Sequence, residues 1–299
     1  MLGHNPYLKY FSKEAFQRYI TEVDAHLQFS VAELKKSVSS VWGIVFQVGD
    51  NPASNTYIRN KIKLCEKFGI DLHHIKLGFH SKNALNTMIN VFHAERVPMM
   101  VQFPLPWKDI TANSFNLGMF DIDGLHRDAI VEPCTAVGIL CHLQYVYTCE
   151  SVGIESNCLT YDTSSIEGKT ALIIGRSELV GKPLARMLTQ VGMNVIQIHS
   201  KTSKRDRELF YGMADVIVCA VGKPNFITLG DADDFMRPDV MIYDVGINRA
   251  EDGTLVGDCS PDLIAKGYAV SPVPGGVGLL TTRMFVQNLL TITKRVNGL

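Results

Sequence analysis

The sequence predicts an α/β protein of two domains, in which helices cover parallel sheets and the second sheet is doubly wound. Three observations lead to that class. The chain has 299 residues, enough for two units that each bury a core of their own. Short apolar runs alternate with segments of helical spacing, the pattern of βαβ units. A polar, irregular stretch, "ESNCLTYDTSSIEGK" at 155–169, separates one such series from the next.

Ala15, Tyr19, Ile20, Val23 and Leu27 recur at helical intervals and predict an amphipathic opening helix. "SVWGIVFQV" reads as a strand buried on both faces. Asp50, Asn51 and Pro52 form a turn into a helix whose Tyr57, Leu64, Cys65 and Phe68 share a face, and Gly69 stops it. A strand around "DLHHIKLG", a helix around "NALNTMINVFHAE" and a strand "PMMVQF" repeat the alternation. Beyond the polar stretch, "TALIIG", "NVIQIHS", "DVIVCAVG" and "VMIYDVG" are four more strands, separated by helix-sized or shorter connections. The last stretch, "TTRMFVQNLLTITKRV", is helical by spacing.

A formal net charge of −1 gives no general pull toward nucleic acid or an anionic membrane, and neither is expected as a partner. No apolar stretch reaches the roughly 18 residues of a membrane span. The amino terminus lacks an apolar core followed by a small-residue cleavage site, so a cytoplasmic protein is expected, with a weak organellar signal left open. Seven cysteines without a C-x-x-C pair, several of them in apolar runs, read as reduced, buried thiols. Nine histidines show no metal-ligand spacing, so no metal is expected.

"ALIIGRSELVGKPLARMLTQVG" places Gly175, Ser177 and Gly181 between a strand and a helix that has Pro183 at a favoured early position. Small residues there let backbone N–H groups approach a phosphate at the positive end of a helix. The spacing departs from G-x-G-x-x-G, and a purely structural strand-to-helix turn is the alternative. The next strand ends in "IQIHSKT", without the acid that binds a ribose 2′-hydroxyl in NAD sites. His199, Ser200, Lys201 and the nearby Arg176 favour a 2′-phosphate, hence NADP, unless Lys201 is only a solvated cation.

"NPASNTYIRNK" sets Tyr57 and Lys61 four residues apart on one helical face. A packed ring beside a lysine snorkelling to water is the structural alternative to a working pair. Seven segments together weigh on that choice: "VGDNPASNTYIRNK", "VQFPLP", "DIDGLH", "EPCTAVGI", "GRSELVGKP", "DVGINR" and "SPVPGGVG". In this order, from about residue 41 to the carboxyl end, they closely resemble the bifunctional methylenetetrahydrofolate dehydrogenase/methenyltetrahydrofolate cyclohydrolase family. Residues 1–40 carry no recognisable part of it.

The resemblance implies a folate-binding catalytic domain, a Rossmann-like NADP-binding domain, a folate cleft between them, and a homodimer. The expected division is 1–150, completed by a returning helix at 279–299, and 151–278. It implies that Lys61 is the central hydrolytic residue, that Tyr57 packs on the folate, and that Gln102 and Asp123 complete the catalytic set. The folate would also meet Ile58, Arg59, Asn60, Val101, Phe103 and the loop of Pro274, Gly275, Gly276, Val277 and Gly278. Gly175, Arg176, Ser177, Ser200 and Ile247 match the family's cofactor contacts. The chain departs from the family's usual residues at Phe120, Leu125, Ala136 and Leu279, none of which is assigned to the chemistry. A monofunctional NAD-dependent dehydrogenase would lack the lysine and carry the missing acid. A silent folate- or nucleotide-binding regulator would have lost Lys61, Gln102 or Asp123, and all three are present.

Overall fold

The structure, a computed structural model, describes residues 5–149, 165–250 and 252–299. Cys158 and most of the junction expected at 155–169 lie outside the described residues. The chain divides into two compact units, Asp24–Cys134 with Thr282–Leu299, and Met1–Val23 with Thr135–Thr281.

The first of these contains a three-stranded parallel sheet. Helix α1 (Lys13–Leu34) leads to β1 (Trp42–Val48), α2 (Pro52–Lys67), β2 (Asp71–Leu77), α3 (Lys82–Ala94) and β3 (Met99–Val101). The order is β2-β1-β3, with Phe46 facing Ile75 on one side and Val101 on the other. β1 is central and almost wholly buried, whereas the edge strand β2 has only exposed and half-buried residues. β3 is shorter than "PMMVQF" suggests. Gln102 N–H still donates to Phe46 O at 2.8 Å, but Pro104 and Pro106 then have no N–H to extend the ladder.

The second unit contains a five-stranded parallel sheet, and its helix α4 (Cys134–Thr148) was not legible in the sequence. α4 buries Ala136, Ile139, Leu140, Leu143 and Val146, together with His142 and Gln144. A helix buried on nearly all sides has no polar face to mark its period. There follow β4 (Thr170–Ile174), α5 (Gly181–Gln190), β5 (Asn194–Ile198), α6 (Lys204–Met213), β6 (Val216–Cys219), α7 (Leu229–Phe235) and β7 (Met241–Asp244). A ribbon of β8 (Asn248–Arg249) and β9 (Leu255–Val256), then α8 (Asp262–Lys266) and β10 (Ala269–Val270), precede α9 (Val277–Val296). The order β10-β7-β6-β4-β5 is doubly wound, as expected, with β10 as a fifth strand too short to read from its two apolar residues. Successive strands leave β4 in opposite directions, which opens a crevice at the carboxyl ends of β4 and β6.

His142 sits in an aromatic box of this unit. The Phe16 ring stacks on it at 4.3 Å, and Phe11, Tyr19 and Tyr243 meet it edge-on. Its Nδ1 lies 2.8 Å from the Tyr243 hydroxyl, and burial pushes the imidazole down to about 3. Below pH 6.5 the unfolded chain takes up a proton that the native ring refuses until about pH 3, so acidification favours unfolding. Between pH 6.5 and 4 the wild type should lose roughly 1.4 kcal/mol per pH unit more than His142→Phe. The variant should start about 1 to 3 kcal/mol lower, because the Tyr243 hydroxyl loses its partner. Denaturant titrations at several pH values check this; parallel pH slopes would exclude His142 as the acid-sensitive group.

Candidate functional site

Asn51 caps α2, its side chain accepting from the N–H groups of Ala53 and Ser54, while Pro52 takes the first position, where no N–H is needed. This start sets the phase that turns Lys61 inward. Lys61 is 5% exposed, so it is not a lysine snorkelling to water. Its ammonium donates to Asp123 Oδ1 at 2.9 Å and lies 3.1 Å from the Met100 thioether on β3. The Phe285 ring of α9 lies 4.6 Å from the same nitrogen, a cation–π contact. Tyr57, one turn earlier, is half-buried, and burial raises its phenol above the usual range.

Asp123 is carried by a turn that Asp121 shapes. The buried Asp121 carboxylate accepts from the N–H groups of Leu125 and His126 at 2.7 Å and of Asp123 at 3.2 Å. Burial, then the neighbouring Asp123 charge, pushes Asp121 up to about 7. Gly124 has φ +69°, and a Cβ there would come within 2.5 Å of the Glu132 carbonyl, so the turn needs glycine. The two acids of D-x-D-G thus divide the work: one folds the turn and the other meets Lys61. Asp123 Oδ2 takes no donor among the described residues.

Val101 is buried in β3, and Gln102 and Phe103 are half-buried just beyond it. Gln102 Nε2 donates to Phe103 O at 2.7 Å, whereas its buried Oε1 has no partner among the described residues. Buried acceptors are rarely left so, and this one is ready for a bound donor. Arg59 and Asn60 do not share the inward face of Lys61, whereas Ile58, three residues before it, lies at the edge of that face. Ile58 is core, Arg59 and Asn60 are exposed, and Ile58 and Arg59 line a cavity of about 490 Å³ with Lys63 and His74. At 100° per residue, that cavity occupies another face of α2 than Tyr57 and Lys61.

In the five-stranded unit, Gly175 follows β4 with φ +128°, and a Cβ there would lie 2.4 Å from Ala220 O at the end of β6. A Cβ at Gly181 would lie 2.3 Å from Gly175 O. The turn is therefore closed to any side chain at these two positions and fits the close approach of a dinucleotide's phosphates to the start of α5. Ser177 Oγ accepts from the N–H groups of Val180 and Gly181, and Arg176 is exposed beside it. Pro183 is the third residue of α5. Ser200 lies exposed in a turn closed by His199 N–H donating to Thr202 Oγ1 at 3.1 Å. Ile247 is exposed after β7. In the same unit Gly275 has φ +109°, Gly276 packs against Pro272 O, and Pro274 is exposed. Val277 and Gly278, read as the end of a loop, begin α9.

Two buried acids escaped the sequence reading. Asp258 accepts from the N–H groups of Val221, Gly222 and Lys223 at 2.7 to 2.9 Å and from Asn248 Nδ2 at 2.9 Å. Asp244, pushed up to about 6 by burial, accepts from the N–H groups of Gly246, Asp258 and Cys259. Together they fix the loops that follow β6 and β7, including the backbone before Ile247. Asp244 lies in "DVGINR", but nothing local marked Asp258. Among the described residues no group of three or more His, Cys, Asp or Glu is placed to hold a metal ion, and no helix is long and apolar enough to cross a membrane.

Comparisons with known proteins place the chain in a family. The model for the catalytic domain of tetrahydrofolate dehydrogenase/cyclohydrolase matches residues 16–116, and that for the family's NAD(P)-binding domain matches 148–297. Over 277 residues the chain is 35% identical to the bifunctional protein FolD of Campylobacter jejuni, covering 87% of this chain and 89% of that one. The FolD of Nitrosomonas europaea is 36% identical, with 89% and 90% covered. The crystal structure of the C. jejuni bifunctional enzyme superposes with a TM-score of 0.78 at 31% identity, over 94% of this chain and 97% of that one. The Trypanosoma brucei enzyme, solved with NADP and an inhibitor, gives 0.76 at 25% identity, over 93% and 95%. The chain belongs to the tetrahydrofolate dehydrogenase/cyclohydrolase family.

Proposed function

We propose that this chain oxidises 5,10-methylenetetrahydrofolate with NADP and hydrolyses the resulting 5,10-methenyltetrahydrofolate to 10-formyltetrahydrofolate. The observation that carries the reading is the buried contact of Lys61 with Asp123, which puts an amine and a carboxylate in one water-poor site. Ring opening of a methenyl cation needs water to add and protons to move among nitrogen and oxygen atoms, work suited to Lys61. Tyr57 would pack on the flat folate, Gln102 Oε1 would accept a donor at the reacting end, and Asp123 Oδ2 would accept from the amino-pyrimidinone edge. Val101, Phe103 and residues 274–278 would complete the folate contacts.

When bound, NADP supplies the two-electron acceptor for the oxidation. Gly175, Arg176 and Ser177 would hold its phosphates, with Ser200 and Ile247 as further contacts. Residues 1–150 with 279–299 are read as the folate-binding catalytic domain and 151–278 as the NADP-binding domain, in a cytoplasmic homodimer. A spectrophotometric assay with methylenetetrahydrofolate and either cofactor tests the whole. NADPH should form first and the methenyl absorbance should then decay; persistent methenyl would leave only a dehydrogenase.

Cofactor choice has its own test. No acid follows β5 to bind the ribose hydroxyl, and Arg176 and Lys201 are exposed near the turn. Arg176→Ala should remove a charge-assisted contact of roughly 1.5 to 3 kcal/mol, or about 10- to 150-fold in NADP affinity, with little change for NAD. Titration with both cofactors checks it. Equal losses would mean that Arg176 shapes the turn instead of reading the phosphate.

A further inference from the structure

We propose that Asn288, on the carboxy-terminal helix α9, is a positioning residue for the Lys61 and Asp123 pair. The inference rests on the hydrolytic role proposed for Lys61. Asn288 is 6% exposed, and its Nδ2 donates to Ile122 O and to Glu132 O, both at 2.9 Å, with Cys134 Sγ at 3.3 Å. An amide nitrogen has two hydrogens, and here two carbonyls ten residues apart in sequence take them.

Both carbonyls belong to the backbone that presents Asp123. Ile122 O is part of the peptide that enters Asp123, so holding it fixes the plane from which that residue departs. Glu132 supplies the carbonyl against which Gly124 packs too closely for a Cβ. The Asp121 carboxylate holds the N–H of Asp123 from the other side. Residues 122, 123 and 124 are therefore each held, and two of the three restraints run through groups that Asn288 binds. One turn earlier on α9, Phe285 lies 4.6 Å from Lys61 Nζ, so a single helical face touches the amine and the turn that carries its carboxylate.

The test compares Asn288→Leu with wild type, Lys61→Met and the double variant. Loss of both donors should let the turn drift, and a misplacement of about 1 Å costs on the order of 100-fold. The expected result is a cyclohydrolase kcat lower by about 10- to 100-fold, with dehydrogenase kcat changed less and NADP affinity unchanged. In the Lys61→Met background the same substitution should cost nothing further in cyclohydrolase kcat, a non-additivity that a merely structural role would not produce. If Asn288→Leu does not fold, Asn288→Ser, too short to reach both carbonyls, takes its place in the same comparison. A folded variant with wild-type cyclohydrolase kcat, or an equal further loss without Lys61, overturns the positioning role alone. Full cyclohydrolase turnover in Lys61→Met would overturn the reading of Lys61 and this inference with it.

Discussion

Lys61→Met should run the dehydrogenase step while methenyltetrahydrofolate accumulates. Methionine keeps about the length and apolar stem of lysine, and the site that receives it already contains the Met100 thioether and the Phe285 ring. What it loses is the amine. General acid–base contributions of about 10²- to 10⁴-fold set the scale of the expected fall in cyclohydrolase turnover. The oxidation should be spared, because it depends mainly on holding donor and acceptor carbons together. Asp123 loses its cation, but its side chain keeps 18% of its exposure, so water can compensate in part and some loss of stability is expected without unfolding. Following NADPH formation and methenyl decay separately in the folded variant decides the matter. Equal collapse of both would make Lys61 a binding group, and undiminished methenyl decay would remove it from the chemistry.

The parts of this site that the sequence revealed are those whose signals are local. Asn51, Pro52 and Gly69 bound α2, and a spacing of four put Tyr57 and Lys61 on one face. Gly175 and Gly181 announced a tight turn, and the structure gives the reason at Gly175 in the Ala220 carbonyl. Other parts act over long separations and leave no local mark. Asp258 binds N–H groups some 35 residues away, and Asn288 reaches carbonyls more than 150 residues away. An acid in "VGDCS" or an asparagine in a helical stretch reads as surface until the fold brings its partners to it. Helix α4 escaped for the opposite reason, being too uniformly apolar to show a period. The resemblance to a known family named Arg59 along with Lys61, yet helical phase sends it to another face of α2.

Asp123→Ala should weaken both activities, and the hydrolysis more than the oxidation. A carboxylate can accept two hydrogen bonds from a pterin's amino-pyrimidinone edge, and Oδ2 takes no donor among the described residues, so folate affinity should fall by about 10- to 150-fold. That loss is common to both reactions, because both begin with the same bound ring system. The further loss falls on hydrolysis alone, since Lys61, buried beside Phe285 and Met100, would be left without its counter-charge. Stranding a buried charge costs up to about 3 to 5 kcal/mol, less here because Asp123 leaves room that water can fill. Asp123→Asn separates the two effects. It retains one oxygen to accept from Lys61 but puts an NH2 donor where Oδ2 stood and carries no charge, so it should lose less stability than alanine while still binding folate more weakly than wild type. Folate titrations and thermal melts on both variants give the measurement. Wild-type folate affinity together with a lowered melting temperature in Asp123→Ala would reduce Asp123 to a partner of Lys61, and the pterin would then have to be read by another group.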